Sequence, residues 1–175
     1  MNVPHKVTPA VTSEVFLILK QKKERKESQH QSAEYRKKDT LEKIEKLYIE
    51  TQSWFHRLHD VGVKHQLLTQ LTTIDFGVGA EEIEFQTQAF SLEDIGNILV
   101  LTPYYCDDTQ RPLQFNAILP NSEYVNLIFW PHPHKLKLNA TWYIFENGSD
   151  SLAEASYKEF NEELVMTLLK ERISE

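Results

Sequence analysis

Residues 40–60, TLEKIEKLYIETQSWFHRLHD, carry the clearest periodicity in the chain. Apolar or small side chains recur there at alternating steps of three and four, the spacing of one helix face. These residues are Leu41, Ile44, Tyr48, Thr51, Phe55 and Leu58, with Leu47, Trp54 and Val61 in a second row. So wide a face suits a helix packed on a sheet or on two other helices. The sequence predicts a helix from Thr40 to Asp60, opened by the capping sequence Asp39-Thr40-Leu41-Glu42 and ended by Gly62.

The sequence before this helix divides into an apolar turn and a polar run. Thr8 and Pro9 favour a helix start, because threonine caps a first turn and proline loses no hydrogen bond there. The apolar residues that follow at helical spacing are Val11, Val15, Ile18 and Leu19. Between Gln21 and Lys38 only Ala33 and Tyr35 are apolar, so this run cannot form a core and is a projecting helix or a hinge. We therefore divide the chain into a helical arm, residues 1–38, and a packed body, residues 39–175.

The body shows the period of β-strands after residue 66. Apolar or small residues from Ile83 to Ala89 alternate with Glu84, Gln86 and Gln88, and Gly77-Val78-Gly79 marks a turn before them. This pattern predicts a β-hairpin. Further strands are predicted at residues 98–105, 113–119, 124–130 and 136–145, with one short helical turn opened by residues 91–94.

The C-terminal stretch returns to helical spacing. Residues 151–154 resemble a capping box, and a helix with an apolar face is predicted after them. That face comprises Ala153, Tyr157, Phe160, Leu164 and Leu168. The predicted fold class is α+β, with an antiparallel sheet of about five or six strands packed by a long N-terminal helical segment and a C-terminal helix.

Charge is distributed unevenly along the chain. The formal net charge is −7, yet Lys20–Lys38 holds eight basic and three acidic residues, a net charge of +5. Residues 65–110 contain no lysine or arginine. The basic run is either an arm that binds an acidic partner or a solvated helix face. An acidic chain is not a plain DNA-binding domain, so nucleic-acid binding is expected only through Lys20–Lys38.

Composition limits the compartment and the class of protein. The single cysteine excludes an intramolecular disulfide framework. No apolar run approaches the roughly 18 residues of a membrane span, and Met1–His5 shows no basic start of a secretion signal. We expect a cytoplasmic protein that does not enter membranes.

Several groups of residues are candidates for metal or catalytic sites. His56 and Asp60 share a helix face, but no third metal ligand lies near them in the sequence. A solvent-exposed pair on the surface is therefore the better interpretation. His132 and His134 could chelate a metal together with Asp107 or Asp108, but each histidine follows a proline, which favours a stiff connection. Cys106 stands beside those two aspartates, which disfavour its thiolate, so a structural role is expected.

A further candidate pair straddles the predicted hairpin. Asp75 and Glu84 loosely resemble, in spacing only, the acidic pairs of two-metal nucleases, without the usual lysine. We expect no catalytic residue, no metal and no cofactor from these patterns, so an enzyme is not the favoured class.

The hypothesis the sequence favours is a small non-enzymatic interaction or assembly protein, whose N-terminal helix binds a protein partner or a second copy. The expected partner-binding residues are Val11, Val15, Ile18, Leu19, Lys22 and Arg25. The apolar members have nowhere obvious to be buried within so polar a neighbourhood. Two alternatives remain open: a metal-dependent hydrolase or nuclease, and an acidic inhibitor that binds a basic site using Asp75–Asp108.

Overall fold

A computed structural model describes residues 9–105, 113–131, 140–145 and 158–174. Helix α1 spans Pro9–Phe55, a 3₁₀ segment follows at His56–Val61, and α2 spans Glu162–Ser174. Between them lie the strands β1 Lys64–Asp75, β2 Ala80–Leu92, β3 Gly96–Tyr105, β4 Leu113–Ile118, β5 Tyr124–Pro131, β6 Ala140–Phe145 and β7 Lys158–Glu159.

The predicted new helix start at Asp39-Thr40 is wrong, because α1 is one continuous helix. No glycine or proline lies between Ala10 and Val61, so nothing in this stretch forces the backbone out of helical geometry. Asp39 does not cap a new helix; its carboxylate pairs with Lys43 one turn later. The polar run is therefore a projecting helix rather than a hinge.

The end of α1 differs slightly from the predicted helix. The α-helical geometry stops at Phe55 rather than Asp60, and the last turn tightens into the 3₁₀ segment. Gly62 ends that segment with φ of +99°, and its amide donates to the carbonyl of His59. The predicted role of Gly62 as the stop is confirmed, since glycine adopts this left-handed conformation without a Cβ penalty.

The α+β prediction is confirmed, with seven strands in the described part of the chain rather than the expected five or six. The strands follow one another in the order β1 to β7, each antiparallel to its neighbour. The predicted hairpin is β1 and β2, in continuous register from Lys64 opposite Ser91 to Asp75 opposite Ala80. The extra strand, β7, pairs with Tyr143 and Ile144 where a helix was predicted.

Two predicted helical starts need correction. Ser91 and Leu92 belong to β2, and the residues after them form a tight turn into β3 rather than a helical turn. The capping box at residues 151–154 lies outside the described residues. Among the described residues, Lys158 and Glu159 form β7 and helix α2 begins at Glu162, where the side chain of Asn161 accepts the amide hydrogen of Leu164 at 3.0 Å.

The second half of α1 covers the sheet and forms the core with it. Leu47, Thr51 and Phe55 are buried on the helix. Phe55 stacks on Phe90 of β2 with ring centroids 4.3 Å apart, and Tyr48 meets Phe115 of β4 edge-on. The wide apolar face of residues 40–60 is thus explained by a helix lying on a sheet.

The β1–β2 hairpin extends beyond the rest of the sheet as a two-stranded ribbon. β2 pairs with β3 only from Gln88 to Leu92, so residues 80–87 pair with β1 alone. Three side chains of α1 hold the ribbon: the Arg36 guanidinium donates to the carbonyl of Phe76, Lys37 pairs with Glu81, and the Tyr48 hydroxyl donates to the carbonyl of Gln86. The hydrogen bond to Glu81 raises the pKa of Lys37.

Helix α2 is fastened at its C-terminal end by one arginine. The Arg172 guanidinium donates to the carbonyl oxygens of Ile95, Asn97 and Pro120 at 2.7–3.0 Å. These carbonyls lie in the β2–β3 turn, at the start of β3 and in the β4–β5 turn, so a single side chain ties the helix to two ends of strands. Val165 and Leu169 are the buried residues of α2.

Candidate interaction surface

The N-terminal part of α1 projects from the body. Every side chain from Ser13 to Ser32 is exposed, and Ala33 is the first buried residue after them. At about 1.5 Å per residue, this exposed stretch is roughly 30 Å long. This stretch belongs to the arm defined from the sequence, and within that arm Ala33 is buried against the body.

An apolar turn lies on this exposed part of α1. Its residues and exposed fractions are Val15 49%, Phe16 66%, Leu17 56%, Ile18 46% and Leu19 60%. Five consecutive helical positions cover every side of the helix, so no face of this turn packs against the body. The side chain of Val11 lies outside the described residues. An apolar turn this exposed is typical of an interaction site.

Basic side chains follow the apolar turn on the same helix. Lys22 and Arg25, both predicted to bind a partner, are exposed. Neighbouring lysines approach glutamates one turn later, Lys20 with Glu24 at 3.9 Å and Lys23 with Glu27 at 3.8 Å. Exposed pairs of this kind stabilise a helix by only about 0.3–0.5 kcal/mol each. The arm therefore presents an apolar turn next to a basic one.

A second feature is a cavity of about 60 Å³ beside the end of α1, which three histidines line. They are His56, His59 and His65. Sequence reasoning considered His56 with Asp60 and did not bring in His65, which comes from β1. Among the described residues, no group of three or more histidine, cysteine, aspartate or glutamate side chains is arranged to hold a metal ion.

His65 belongs to a polar network rather than to a metal site. Its Nε2 lies 3.2 Å from Nε2 of Gln88, whose amide nitrogen also donates to the carbonyl of Tyr48 at 3.1 Å. An amide nitrogen only donates, so His65 Nε2 accepts and the ring is neutral with its hydrogen on Nδ1. Partial burial lowers the pKa of His65, and the neighbouring His59 lowers it further.

The Asp75 and Glu84 pair is not brought together by the hairpin. Asp75 lies opposite Ala80, whereas Glu84 lies opposite Leu71, four rungs away. Four rungs are about 13 Å along a strand, whereas the ions of a two-metal site are about 3.5–4 Å apart. The Asp75 carboxylate instead accepts the amide hydrogens of Gly77 at 2.6 Å and Gly79 at 3.0 Å, which lowers its pKa.

The acidic residues of β2 are partly engaged within the chain. Glu81 pairs with Lys37, and Glu84 approaches the hydroxyl of Thr69 at 3.4 Å. Glu82 is exposed. Cys106, Asp107, Asp108, His132 and His134 lie outside the described residues, so the site predicted around the two histidines stays a prediction.

Sequence reasoning missed an apolar surface on β1. Leu67, Leu68 and Leu71 are exposed, and Leu67 also borders a groove of about 460 Å³ between β1 and α1. Two exposed residues of α1, Leu41 and Ile49, line the same groove. The leucines at adjacent positions 67 and 68 were a usable signal, because they break the alternation of a half-buried strand.

Comparison with protein-family models, with curated proteins and with solved structures finds no match for this chain. None of the helices in the described part of the chain is both long and apolar enough to cross a membrane.

Proposed function

We propose that this is a non-enzymatic, cytoplasmic interaction or assembly protein that uses the exposed N-terminal part of α1 as its binding element. The observation that carries the proposal is the apolar turn Val15–Leu19, exposed on all sides of a helix that has already left its own body. Burying such side chains on another protein removes apolar surface from water, which favours association.

The basic residues after that turn indicate which kind of acceptor surface the arm would bind. Lys22 and Arg25 extend the apolar turn along the helix, so an acceptor with an apolar groove and an acidic border fits this surface. Either a different protein or a second copy of this chain can supply such a groove. Val11 belongs to the same helical stripe in the sequence and is included in the binding element.

The alternative functions draw less support from the described residues. A two-metal nuclease needs Asp75 and Glu84 close together, and the ladder separates them by four rungs. An acidic inhibitor needs free carboxylates on β2, and Glu81 is paired with Lys37. We therefore place the binding function on the arm.

Site-specific photo-cross-linking tests the proposal. A photoreactive phenylalanine analogue replaces Phe16 in the full chain and is activated in cells; the matched control carries the analogue at Tyr35, exposed where α1 joins the body. We expect a discrete adduct from position 16 that disappears when Ile18 and Leu19 are changed to Asp. An adduct of twice the chain mass identifies a second copy, and any other mass identifies a foreign protein.

A deletion complements the cross-link. Removing residues 1–32 leaves Ala33, Arg36 and Lys37, which contact the body, in place. We expect the shortened chain to keep the circular dichroism and cooperative unfolding of the body. The protein that cross-links to position 16 should no longer co-purify with it. Absence of an adduct at position 16, or a partner that the shortened chain retains, contradicts the proposal.

A further inference from the structure

Strand β1 forms one end of the sheet and is long for an edge strand. It has 12 residues, Lys64–Asp75, and among the described strands it pairs only with β2. An edge strand exposes a row of backbone donors and acceptors that another strand can pair with.

β1 lacks the features that usually protect such an edge. Between Lys64 and Asp75 the sequence HQLLTQLTTI contains no proline, lysine, arginine, aspartate or glutamate. The exposed fractions of its leucines are 47% for Leu67, 56% for Leu68 and 61% for Leu71. A long, uncharged and partly apolar edge is a template for association with another chain.

The sequence of β1 is complementary to itself when reversed. Leu67, Thr69 and Leu71 share one face of the strand because alternate residues point the same way. When a second β1 runs antiparallel with Thr69 on the two-fold axis, Leu67 of each copy lies opposite Leu71 of the other. We propose that two copies of this protein pair along β1 in this register, joining their sheets into one.

The leucine pairs select this register among its neighbours. Moving the axis to Leu68 leaves one leucine pair, and moving it to Gln70 leaves none. Directly opposed apolar side chains are the pairs that stabilise neighbouring strands. Two leucine pairs, one on each side of the axis, therefore favour Thr69 as the centre.

The charges at the ends of β1 point to a second copy running antiparallel. Lys64 begins the strand and Asp75 ends it. In the proposed register Lys64 of each copy lies opposite Ile74 of the other, and Asp75 follows at the next position on the other face of the sheet, so the positive end of each β1 lies near the negative end of its partner. A parallel arrangement places like charges together instead. Because the contact is two-fold symmetric, it closes as a dimer.

This surface is separate from the arm. β1 lies on the body, whereas the proposed binding element of α1 ends before Ala33. The β1 dimer and the arm interaction can therefore be tested independently, and failure of one leaves the other standing.

A charge-swap experiment tests the register. Sedimentation analysis over a range of concentrations is expected to give a dimer of the 20.5 kDa chain. Leu71→Lys and Leu67→Glu each weaken the dimer, by about tenfold or more in dissociation constant, because a charge then opposes a leucine. The double variant restores the dimer, because it sets a glutamate at position 67 opposite a lysine at position 71 on both sides of the axis. Val78→Lys is the matched control, since Val78 is 48% exposed but lies at the hairpin turn.

Disulfide trapping gives a second readout that does not depend on dimer strength. In a Cys106→Ser background, Thr69→Cys places two thiols across the axis, where directly opposed residues are about 4.5–5.5 Å apart. Thr73→Cys is the control, because the two copies of that position lie on opposite sides of the axis. We expect mild oxidation to produce a covalent dimer from Thr69→Cys and not from Thr73→Cys.

Three results would overturn the proposal. The first is a monomer at every concentration with no cross-link through position 69. The second is a dimer that Leu71→Lys leaves unchanged while deletion of residues 1–32 abolishes it, which moves the contact to the arm. The third is a double variant no stronger than the single ones, which excludes the pairing of positions 67 and 71.

Discussion

The hydroxyl oxygen of Thr51 on α1 lies 2.6 Å from Oε1 of Gln88 on β2, and both side chains are almost fully buried. The same hydroxyl lies 2.9 Å from the carbonyl of Leu47 and 3.2 Å from that of Tyr48, so its single hydrogen has three acceptors within reach. Gln88 in turn donates to the carbonyl of Tyr48. Within an otherwise apolar core, these two residues fix how α1 sits over β2, because any sliding leaves a buried polar group without its partner.

Replacing Thr51 tests this contact. Thr51→Val keeps the shape of the side chain but leaves Oε1 of Gln88 without a donor in the core. We expect the free energy of unfolding to fall by about 1–3 kcal/mol, the cost of an unsatisfied buried polar group. Urea unfolding of the variant and of the unchanged chain measures this difference. Thr167→Val is the matched control on the exposed side of α2, where a change within about 0.5 kcal/mol is expected. Equal losses from both variants contradict the role given to Thr51.

His65 predicts a pH dependence of stability. Its pKa is lower in the folded chain than the ordinary value of 6.5, because burial and His59 disfavour the charged ring. Below pH 6.5 the unfolded chain binds a proton at His65 that the folded chain does not bind. The stability of the fold therefore carries no penalty from His65 above that pH and falls as the pH decreases below it. We expect His65→Gln to reduce the fall in stability between pH 7 and 5. A His65→Gln variant that loses as much stability between pH 7 and 5 as the unchanged chain contradicts the prediction.

The hairpin turn offers a comparison of two glycines. Gly77 and Gly79 both have positive φ, +103° and +124°, so alanine at either position costs about 1–3 kcal/mol in backbone strain. A Cβ on Gly77 also meets the Arg36 guanidinium, whereas a Cβ on Gly79 meets nothing within 4 Å. We expect Gly77→Ala to destabilise more than Gly79→Ala, because Arg36 loses its hydrogen bond to Phe76. Thermal unfolding of the two variants measures the difference. Equal losses of stability would show that the hydrogen bond from Arg36 to Phe76 contributes nothing.

Arg172 is expected to hold α2 against two turns of the sheet. Arg172→Met keeps most of the aliphatic length but removes three hydrogen bonds to backbone carbonyls. We expect a loss of about 1.5–3 kcal/mol in the free energy of unfolding, since hydrogen bonds from charged groups are the stronger ones. Arg57→Met, at an exposed position after α1, is the control. Hydrogen exchange in α2 should rise selectively in the Arg172 variant, and unchanged exchange there argues against the role.

Local patterns predicted much of the fold. The hairpin was predictable because Gly77-Val78-Gly79 separates two runs of strand period, and Gly62 was predictable as a stop because only glycine adopts positive φ without strain. The continuation of α1 through Asp39 was not predictable from the local pattern. A capping sequence starts a helix only where the preceding helix is interrupted. Because no glycine or proline precedes Asp39 within the helix, α1 continues through this capping sequence.

The candidate site was predicted only in part. The apolar turn near Val15 and the basic residues after it are visible in the sequence, since both are contiguous. The adjacent leucines of β1 are visible as well, but their exposure could not be predicted, because burial depends on where α1 crosses the sheet. The separation of Asp75 from Glu84 likewise depends on register, which places each residue opposite a partner from another part of the chain.

The sequence by itself determined the elements of this protein: a long helix, a run of antiparallel strands, a C-terminal helix, and a basic arm on an acidic chain. These follow from periodicity, capping and turn residues, all of which act within a few positions along the chain. The tertiary structure alone decided which surfaces stay exposed. Ala33 is where α1 meets the body, and β1 is left as the open edge, because both outcomes depend on contacts between residues distant in sequence.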